Sequence, residues 1–113
     1  MPDFIFSYGT LQNEKVQQSL LGRVLSLQSD NLIGYKSIAI EITDNEFLSK
    51  GESPYQHTLV KSGNPNDIIP GSVLEITNEE LLIIDNYEPR NYKRIQVILQ
   101  SGKKAWIYVA SEN

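Results

Sequence analysis

The residue of this sequence with the clearest potential for chemistry is Glu88, at the end of a predicted helix. Leu81, Ile84 and Glu88 are spaced i, i+3 and i+7, so a helix through them places all three on one stripe. That stripe is predicted to face the core, where burial disfavours an ionised carboxylate, and the carboxyl end of a helix disfavours it further. We therefore expect a raised pKa, which suits general acid/base catalysis near neutral pH.

Two alternatives for this glutamate stay open on spacing alone. Glutamates at helix ends are usually solvated, and Glu88 could simply form a salt bridge with Arg90 or Arg94. Asp85 lies one turn earlier on the same predicted helix and competes for the same role. Helical spacing does not separate the two carboxylates.

A second candidate site is the turn Tyr8-Gly9-Thr10-Leu11, which joins the first predicted strand to a helix. Glycine lets the backbone turn sharply, and successive amide N–H groups in such a turn form a small concavity that binds anions. The amino terminus of the following helix adds to this potential. No Gly-Lys-Ser/Thr follows and no GxGxxG is present, so neither nucleotide-binding loop is indicated.

Missing residue types narrow the chemistry further. The chain has no cysteine, which excludes thiol nucleophiles, disulfides and thiolate metal sites. It has only one histidine, His57, so two-histidine zinc motifs are excluded. His57 lies in a Pro/Ser/Gly-rich neighbourhood, which is typical of a surface residue. Carboxylates, hydroxyls and backbone amides remain, and we expect no metal and no cofactor.

The composition indicates one soluble domain over residues 1–113. The net charge is −4 and no Lys/Arg cluster is present, so we expect no nucleic-acid partner. A membrane span needs about 20 consecutive apolar residues, and no run approaches that length. The first residues, Met-Pro-Asp-Phe, do not resemble a signal peptide, so the expected location is cytoplasmic, without membrane attachment. The oligomeric state is left open.

These candidates must be positioned by a sheet with helices against it. Helices are predicted from Asn13 to Leu21, with Gly22 as the stop, and from the capping box of Thr77 and Glu80 to about Tyr87. The segment 55–60 is a weaker strand candidate, and the clearer strands are Asp3–Tyr8, Val24–Leu27, Asn31–Ile42, Pro70–Ile76, Tyr92–Leu99 and Ala105–Ala110. The predicted class is α+β: a small mixed β-barrel or curved sheet of about six strands flanked by two short helices.

The order of the motifs resembles the gamma-glutamylcyclotransferase-like superfamily. The segment 4–12 (FIFSYGTLQ) contains its Tyr-Gly-Thr-Leu signature, and 70–76 (PGSVLEI) is similar to its Gly-x-(hydrophobic)-(hydrophobic)-Glu strand. The segment 82–88 (LIIDNYE) is similar to its Leu-Asp-x-(aromatic)-Glu motif, and 92–94 and 105–109 follow in the expected order. The short branch that contains the gamma-glutamylaminecyclotransferases is the most similar.

The resemblance implies a function for both candidate sites. It implies that Glu88 is the catalytic acid/base, that Asp85 is the motif's structural aspartate, and that the gamma-glutamyl group is held by Tyr8, Gly9, Thr10 and Leu11. The implied reaction cyclises a gamma-glutamyl amine or amide to 5-oxoproline and releases a free amine, without metal or cofactor. On one face of a predicted strand, Tyr92 and Arg94 are further candidates for the substrate pocket; for Arg94 a structural salt bridge is the alternative.

The chain departs from the family pattern in two segments. Residues 43–67 match no recognised motif, so the amine half of the substrate is left open, and Pro89-Arg90-Asn91 replaces a commoner glycine-containing turn. Two other functional classes remain: a small-molecule binding module of the same fold without catalysis, and a structural interaction domain. The last of these predicts an exposed Glu88 far from Gly9.

Overall fold

The computed structural model describes residues 3–41, 49, 55–88 and 92–110, without the side chains of Thr10, Ile40 and residues 55–57. These residues form a 3-10 turn (Thr10–Gln12) and two helices, α1 (Glu14–Leu21) and α2 (Asn78–Tyr87). They also form seven strands: β1 (Asp3–Ser7), β2 (Leu27–Ile33), β3 (Tyr35–Glu41), β4 (Tyr55–Lys61), β5 (Ile68–Ile76), β6 (Tyr92–Ile98) and β7 (Lys104–Ala110). None of the described helices has the length and apolar character needed to cross a membrane.

Five strands form one sheet in the order β2-β5-β1-β7-β6, and β3 pairs with β4 in a second sheet. Only β1 and β7 run parallel among the described pairs. β2 and β6 are the edges of the larger sheet, yet the turn after β6 reaches β2, where the Gln100 N–H donates to the Asn31 carbonyl at 2.9 Å. The larger sheet is therefore curved, but its described strands do not close into a barrel. The predicted α+β class is confirmed.

The single long strand predicted over 31–42 is wrong, because the chain changes sheets at Gly34. Gly34 has φ +85°, a backbone conformation that side chains with a Cβ rarely adopt. Its N–H donates to the Asp67 carbonyl, and its own carbonyl accepts from the Ser62 N–H, both at 2.8 Å. These bonds fix the point where the chain leaves β2 for β3.

The two faces of the larger sheet build two hydrophobic clusters. Because successive side chains of a strand point to opposite faces, Ile5 and Phe6 belong to different clusters. Phe6 packs in the cluster that contains Ile107 and, from β4, Leu59. Ile5 packs in the cluster that contains Ile84 of α2. The larger sheet is thus covered by helix α2 on one face and by the smaller sheet on the other.

The predicted capping box begins α2. The Thr77 hydroxyl accepts from the Glu80 N–H at 3.1 Å, and the Glu80 carboxylate accepts from the Thr77 N–H at 2.9 Å. Arg23 adds two bonds to the same carboxylate, from Nε at 2.8 Å and from Nη2 at 2.7 Å. Chiefly because of the Arg23 bonds, the pKa of Glu80 falls from 4.5 to about 2. Glu80 therefore ties the start of α2 to the residue that follows the cap of α1.

Glu80 should make the stability of the protein sensitive to acid. Since its folded-state pKa is lowered, its contribution is complete above about pH 4.5 and is lost as the pH falls towards about 2. We expect Glu80→Gln to lower the unfolding free energy by about 1 kcal/mol at neutral pH, the usual size of a cap contribution. Near pH 2 the difference should vanish. Urea unfolding at both pH values measures this, with the exposed neighbour substitution Glu79→Gln as control; equal differences at both pH values would contradict the assignment.

Candidate active site

Three tyrosines converge at one end of the larger sheet. β1 and β7 run parallel, so their carboxyl ends lie at the same edge, and β6 begins there because it is antiparallel to β7. Tyr8 follows β1, Tyr108 lies near the end of β7, and Tyr92 opens β6 opposite Ala110. The topology of the sheet therefore brings together residues about 100 positions apart in the sequence.

Hydrogen bonds to the main chain of β7 fix two side chains at this end. The Tyr8 hydroxyl donates to the Tyr108 carbonyl at 2.5 Å. The Ala110 N–H donates to the Thr58 hydroxyl at 2.8 Å, and Thr58 is only 2% exposed. Thr58 also interacts through its hydroxyl with Tyr8 and Tyr92. The smaller sheet thus contributes a buried hydroxyl to the cluster.

Glu88 lies at the end of the predicted helical stripe. Leu81 and Ile84 are buried on that stripe, and α2 ends at Tyr87 as predicted. Glu88 caps the helix with φ −67° and ψ 153°, and its N–H still donates to the Ile84 carbonyl at 3.1 Å. Because φ is still helical and the changed ψ moves only the residues that follow, the Glu88 side chain leaves the backbone on the same stripe as Leu81 and Ile84. Its side chain is partly buried.

The Glu88 carboxylate acts electrostatically on all three phenols. Burial is the main reason that the pKa of Tyr8 is raised, and the neighbouring Tyr92 and Glu88 add to it. Burial and then Glu88 raise the pKa of Tyr92 to about 12. The pKa of Tyr108 is raised by burial, by its bond to Asp85 and by the charges of Asp85 and Glu88. All three phenols are therefore neutral near pH 7, and Glu88 is their shared carboxyl neighbour.

Asp85, the rival carboxylate, is engaged by two partners. The Tyr108 hydroxyl donates to its Oδ1 at 2.6 Å, and Arg94 Nε lies 3.2 Å from the same oxygen. The Arg94 guanidinium also lies over the Trp106 ring, 4.4 Å from its centroid. Arg94 therefore forms a structural salt bridge, with Asp85. A contact between Arg94 and a substrate stays a prediction.

The turn after β1 borders the cluster through Tyr8. In this turn the Gly9 N–H donates to Ser7 Oγ at 3.4 Å and the Gln12 N–H donates to the Gly9 carbonyl at 3.3 Å. The N–H groups of Thr10 and Leu11 lie between these two bonds. The Leu11 side chain is buried in the core, which leaves only its backbone for binding. Gly9 does not have positive φ, and a Cβ added there would meet no atom within 4 Å. Neither backbone strain nor packing among the described residues explains this glycine.

Two residues of this cluster, Thr58 and Tyr108, were not among the predicted site residues. Thr58 was not predicted, because one threonine in a weak strand candidate carries no sequence signal of its own. Tyr108 lies between apolar residues of the last strand, a pattern typical of a packing role. It does pack in one of the two hydrophobic clusters. Of the other predicted features, the side chains of Thr10 and His57 and the turn 89–91 lie outside the described residues. In the described part of the chain, no group of three or more His, Cys, Asp or Glu side chains is placed to hold a metal ion.

Comparisons with known proteins agree on the family and the fold. The family model described as "Gamma-glutamyl cyclotransferase, AIG2-like" matches residues 5–113. No curated protein matches the chain by sequence. Among solved structures, a gamma-glutamyl cyclotransferase is similar with a TM-score of 0.75 at 16% identity, over 99% of this chain and 68% of that protein.

Two Arabidopsis thaliana proteins with solution structures are also similar, both at 21% identity. One has a TM-score of 0.71 over 97% of this chain and 62% of that protein, and the other 0.73 over 96% and 68%. The chain thus spans about two thirds of the length of each solved relative, and at these identities the likeness shows the shared fold. Because the family model covers nearly the whole chain, this protein belongs to the AIG2-like gamma-glutamyl cyclotransferase family.

Proposed function

We propose that this protein is an enzyme that cyclises a gamma-glutamyl amine or amide to 5-oxoproline and releases the free amine, with Glu88 as acid/base. The observation that carries the proposal is the place of the Glu88 carboxylate among three phenols that keep their protons. Family membership supports the reaction class.

Elimination within the cluster favours Glu88 as the base. A tyrosine with a raised pKa does not accept a proton near neutral pH, which removes Tyr8, Tyr92 and Tyr108 from that role. Asp85 already accepts from the Tyr108 hydroxyl and pairs with Arg94. Glu88 is then the carboxylate that acts electrostatically on all three phenols, at the position where the motif of the family has its acid/base.

The proposed reaction is intramolecular. The alpha-amine of the gamma-glutamyl group arrives as ammonium, and Glu88 takes one proton from it. The amine nitrogen then attacks the side-chain carbonyl carbon, forming the ring C–N bond, and the original amide C–N bond breaks. As that bond breaks, Glu88 gives the first proton to the leaving nitrogen. It then takes a second proton from the ring nitrogen and passes it to the released amine, which departs as ammonium. Positioned proton transfer of this kind contributes about 10²–10⁴-fold, and holding the chain folded for ring closure adds a large effective molarity.

The turn after β1 is proposed to hold the anionic part of the substrate. The Thr10 and Leu11 amides supply N–H donors for the alpha-carboxylate or for the oxyanion that develops on the attacked carbonyl, while the Gly9 N–H donates to Ser7 Oγ. Loss of one such donor typically costs about 3 kcal/mol. Tyr8 and Tyr92 would form the walls of the pocket beside Glu88. Arg94 would act at the rim, through its pairing with Asp85 or by direct contact.

Gly9 offers a test of the turn that spares the fold. Since an added Cβ meets no described atom within 4 Å beyond the adjoining residues, Gly9→Ala should change the unfolding free energy by less than about 1 kcal/mol. The methyl group would occupy space next to the amides, so we expect KM to rise about tenfold or more with a smaller change in kcat. Steady-state kinetics and urea unfolding of the same preparations measure both. An unchanged KM would remove the turn from the substrate site.

The proposed activity is tested by incubating the protein with gamma-glutamyl amines, gamma-glutamyl amino acids and glutathione, and measuring 5-oxoproline. We expect release from at least one class, and the class that reacts fastest identifies the amine half. Tight binding of a glutamyl compound in a thermal-shift assay, without any 5-oxoproline, would instead support a binding module that has kept the fold and lost catalysis.

A further inference from the structure

Two glutamine side chains hold the turn that is proposed to bind the substrate carboxylate. Gln17, on α1, is fully buried at 0% exposure, which is unusual for an amide side chain. Its Nε2 donates to the Leu11 carbonyl at 2.9 Å, and its Oε1 accepts from the Leu25 N–H at 2.8 Å. A buried amide is tolerated when both its ends are bonded, and here one of those bonds fixes the last residue of the Tyr8–Leu11 turn.

Gln12 holds the other end of the turn. Its Nε2 and its backbone N–H both lie 3.3 Å from the Gly9 carbonyl oxygen and donate to it. Its Oε1 accepts from the Ser72 hydroxyl at 2.9 Å, which ties the side chain to β5. The Gly9 carbonyl is thus held from one side by a residue that the sheet itself keeps in place.

The bonds to the Gly9 and Leu11 carbonyls also determine the direction of the N–H group that follows each carbonyl. The described peptide bonds are trans, and in a trans peptide the C=O and the following N–H point in opposite directions. Holding the Gly9 carbonyl towards Gln12 therefore turns the Thr10 N–H to the other side. Holding the Leu11 carbonyl towards Gln17 keeps the Gln12 N–H directed at Gly9. Gln12 thus sets the direction of the Thr10 N–H, and Gln17 holds the end of the turn by keeping the Gln12 N–H on Gly9.

We propose that Gln12 and Gln17 are positioning residues, which orient the turn so that the Thr10 N–H faces the carboxylate of the substrate. The inference rests on the proposed function of the turn as a carboxylate cradle. Neither glutamine contacts the substrate; each acts through a backbone carbonyl. Because Gln17 also bonds the Leu25 N–H, it contributes to folding as well, and the test must separate binding from stability.

Gln17→Glu makes the positioning bond switchable by pH. A protonated carboxyl group can donate its O–H to the Leu11 carbonyl and accept from the Leu25 N–H, as the amide does, whereas a carboxylate cannot donate. Binding is followed by NMR as the shift of the Thr10 and Leu11 amide signals on titration with 5-oxoproline, which carries the carboxylate and needs no turnover. We expect binding about tenfold or more weaker than wild type near pH 8, and recovery towards wild type near pH 5.

The matched control is Gln18→Glu, the same substitution at the next, exposed position of α1. It should bind 5-oxoproline as wild type does at both pH values. Since a buried carboxylate at position 17 can prevent folding, Gln12→Met is the second variant: it removes the side-chain donor to Gly9 from a partly exposed site without burying a charge. We expect Gln12→Met to keep its thermal unfolding midpoint within a few degrees and to bind several-fold more weakly.

The results distinguish the two proposals. Amide shifts in wild type that weaken in Gln12→Met and recover with pH in Gln17→Glu support the positioning role, even if no gamma-glutamyl compound is turned over. Wild-type turnover together with unchanged binding in a folded Gln12→Met variant would overturn the positioning role and leave the proposed enzyme intact. An absence of any shift at the Thr10 and Leu11 amides would overturn the cradle itself.

Discussion

Glu88→Gln is expected to lower kcat for 5-oxoproline release by about 10²–10⁴-fold, with a much smaller change in KM. The amide has nearly the shape of the carboxylate but accepts no proton at neutral pH, so the ammonium of the substrate keeps its charge and cannot attack. The fold should be preserved, because Glu88 lies at the end of α2 and its backbone bond to Ile84 does not involve the side chain. Steady-state kinetics at saturating substrate measure the effect.

Asp85→Asn is the matched comparison for this prediction. It removes the neighbouring carboxylate charge, while the amide oxygen can still accept from Tyr108 and Arg94. We expect a rate loss below about tenfold, arising from a less firmly held Tyr108. If instead Asp85→Asn lost most of the activity and Glu88→Gln kept it, the acid/base would be Asp85 and the proposed assignment would be wrong.

Gly71→Ala is expected to cause the largest loss of stability among the substitutions considered. Gly71 lies in β5, and a Cβ there would come within 2.5 Å of the Ser7 carbonyl oxygen and 2.6 Å of the Phe6 ring. Phe6 is fully buried in the core and Ser7 belongs to the central strand β1, so neither can move away freely. Overpacking of this kind costs about 1–3 kcal/mol, and the backbone contact favours the upper end.

Urea unfolding tests the Gly71 prediction, with Gly9→Ala as the control glycine substitution. The two variants add the same methyl group, in one case against protein atoms and in the other into open space. We expect a clear shift of the midpoint for Gly71→Ala and almost none for Gly9→Ala. Equal stability of the two variants would mean that Phe6 can repack at little cost.

Local features of the fold could be predicted from the sequence because their causes are local. The capping box of Thr77 and Glu80 needs only four consecutive residues, and the structure forms both of its bonds. The turn between β6 and β7, which separates two predicted strands, likewise depends on a glycine with positive φ, Gly102 at +89°. The stop of α1 at Gly22, with φ +74°, has the same origin.

Features that depend on distant parts of the chain could not be predicted in the same way. The break at Gly34 reflects a bond to Asp67 and a change of sheet, neither of which is visible in an apolar, β-branched segment. Thr58 joins the site because the smaller sheet packs on the end of β7, where Ala110 bonds to it.

The motif order identified Glu88 and the turn at Tyr8 without showing how they meet. The parallel pairing of β1 with β7 supplies that link, because it brings the end of β1 to Tyr108 and places Tyr92 alongside. The pairing joins the two ends of the sequence, and nothing in a local window encodes it. The site is therefore a product of sheet topology more than of any one motif.

The most direct test of the central claim is the identity of the product formed by the wild-type protein from a gamma-glutamyl amine. Following the reaction by NMR, we predict that 5-oxoproline and the free amine appear in equal amounts, without glutamate, and that Glu88→Gln forms neither at a comparable rate. Formation of glutamate would mean that water attacks the carbonyl in place of the alpha-amine. That result, or equal rates of 5-oxoproline release with and without the Glu88 carboxylate, would contradict the proposed reaction.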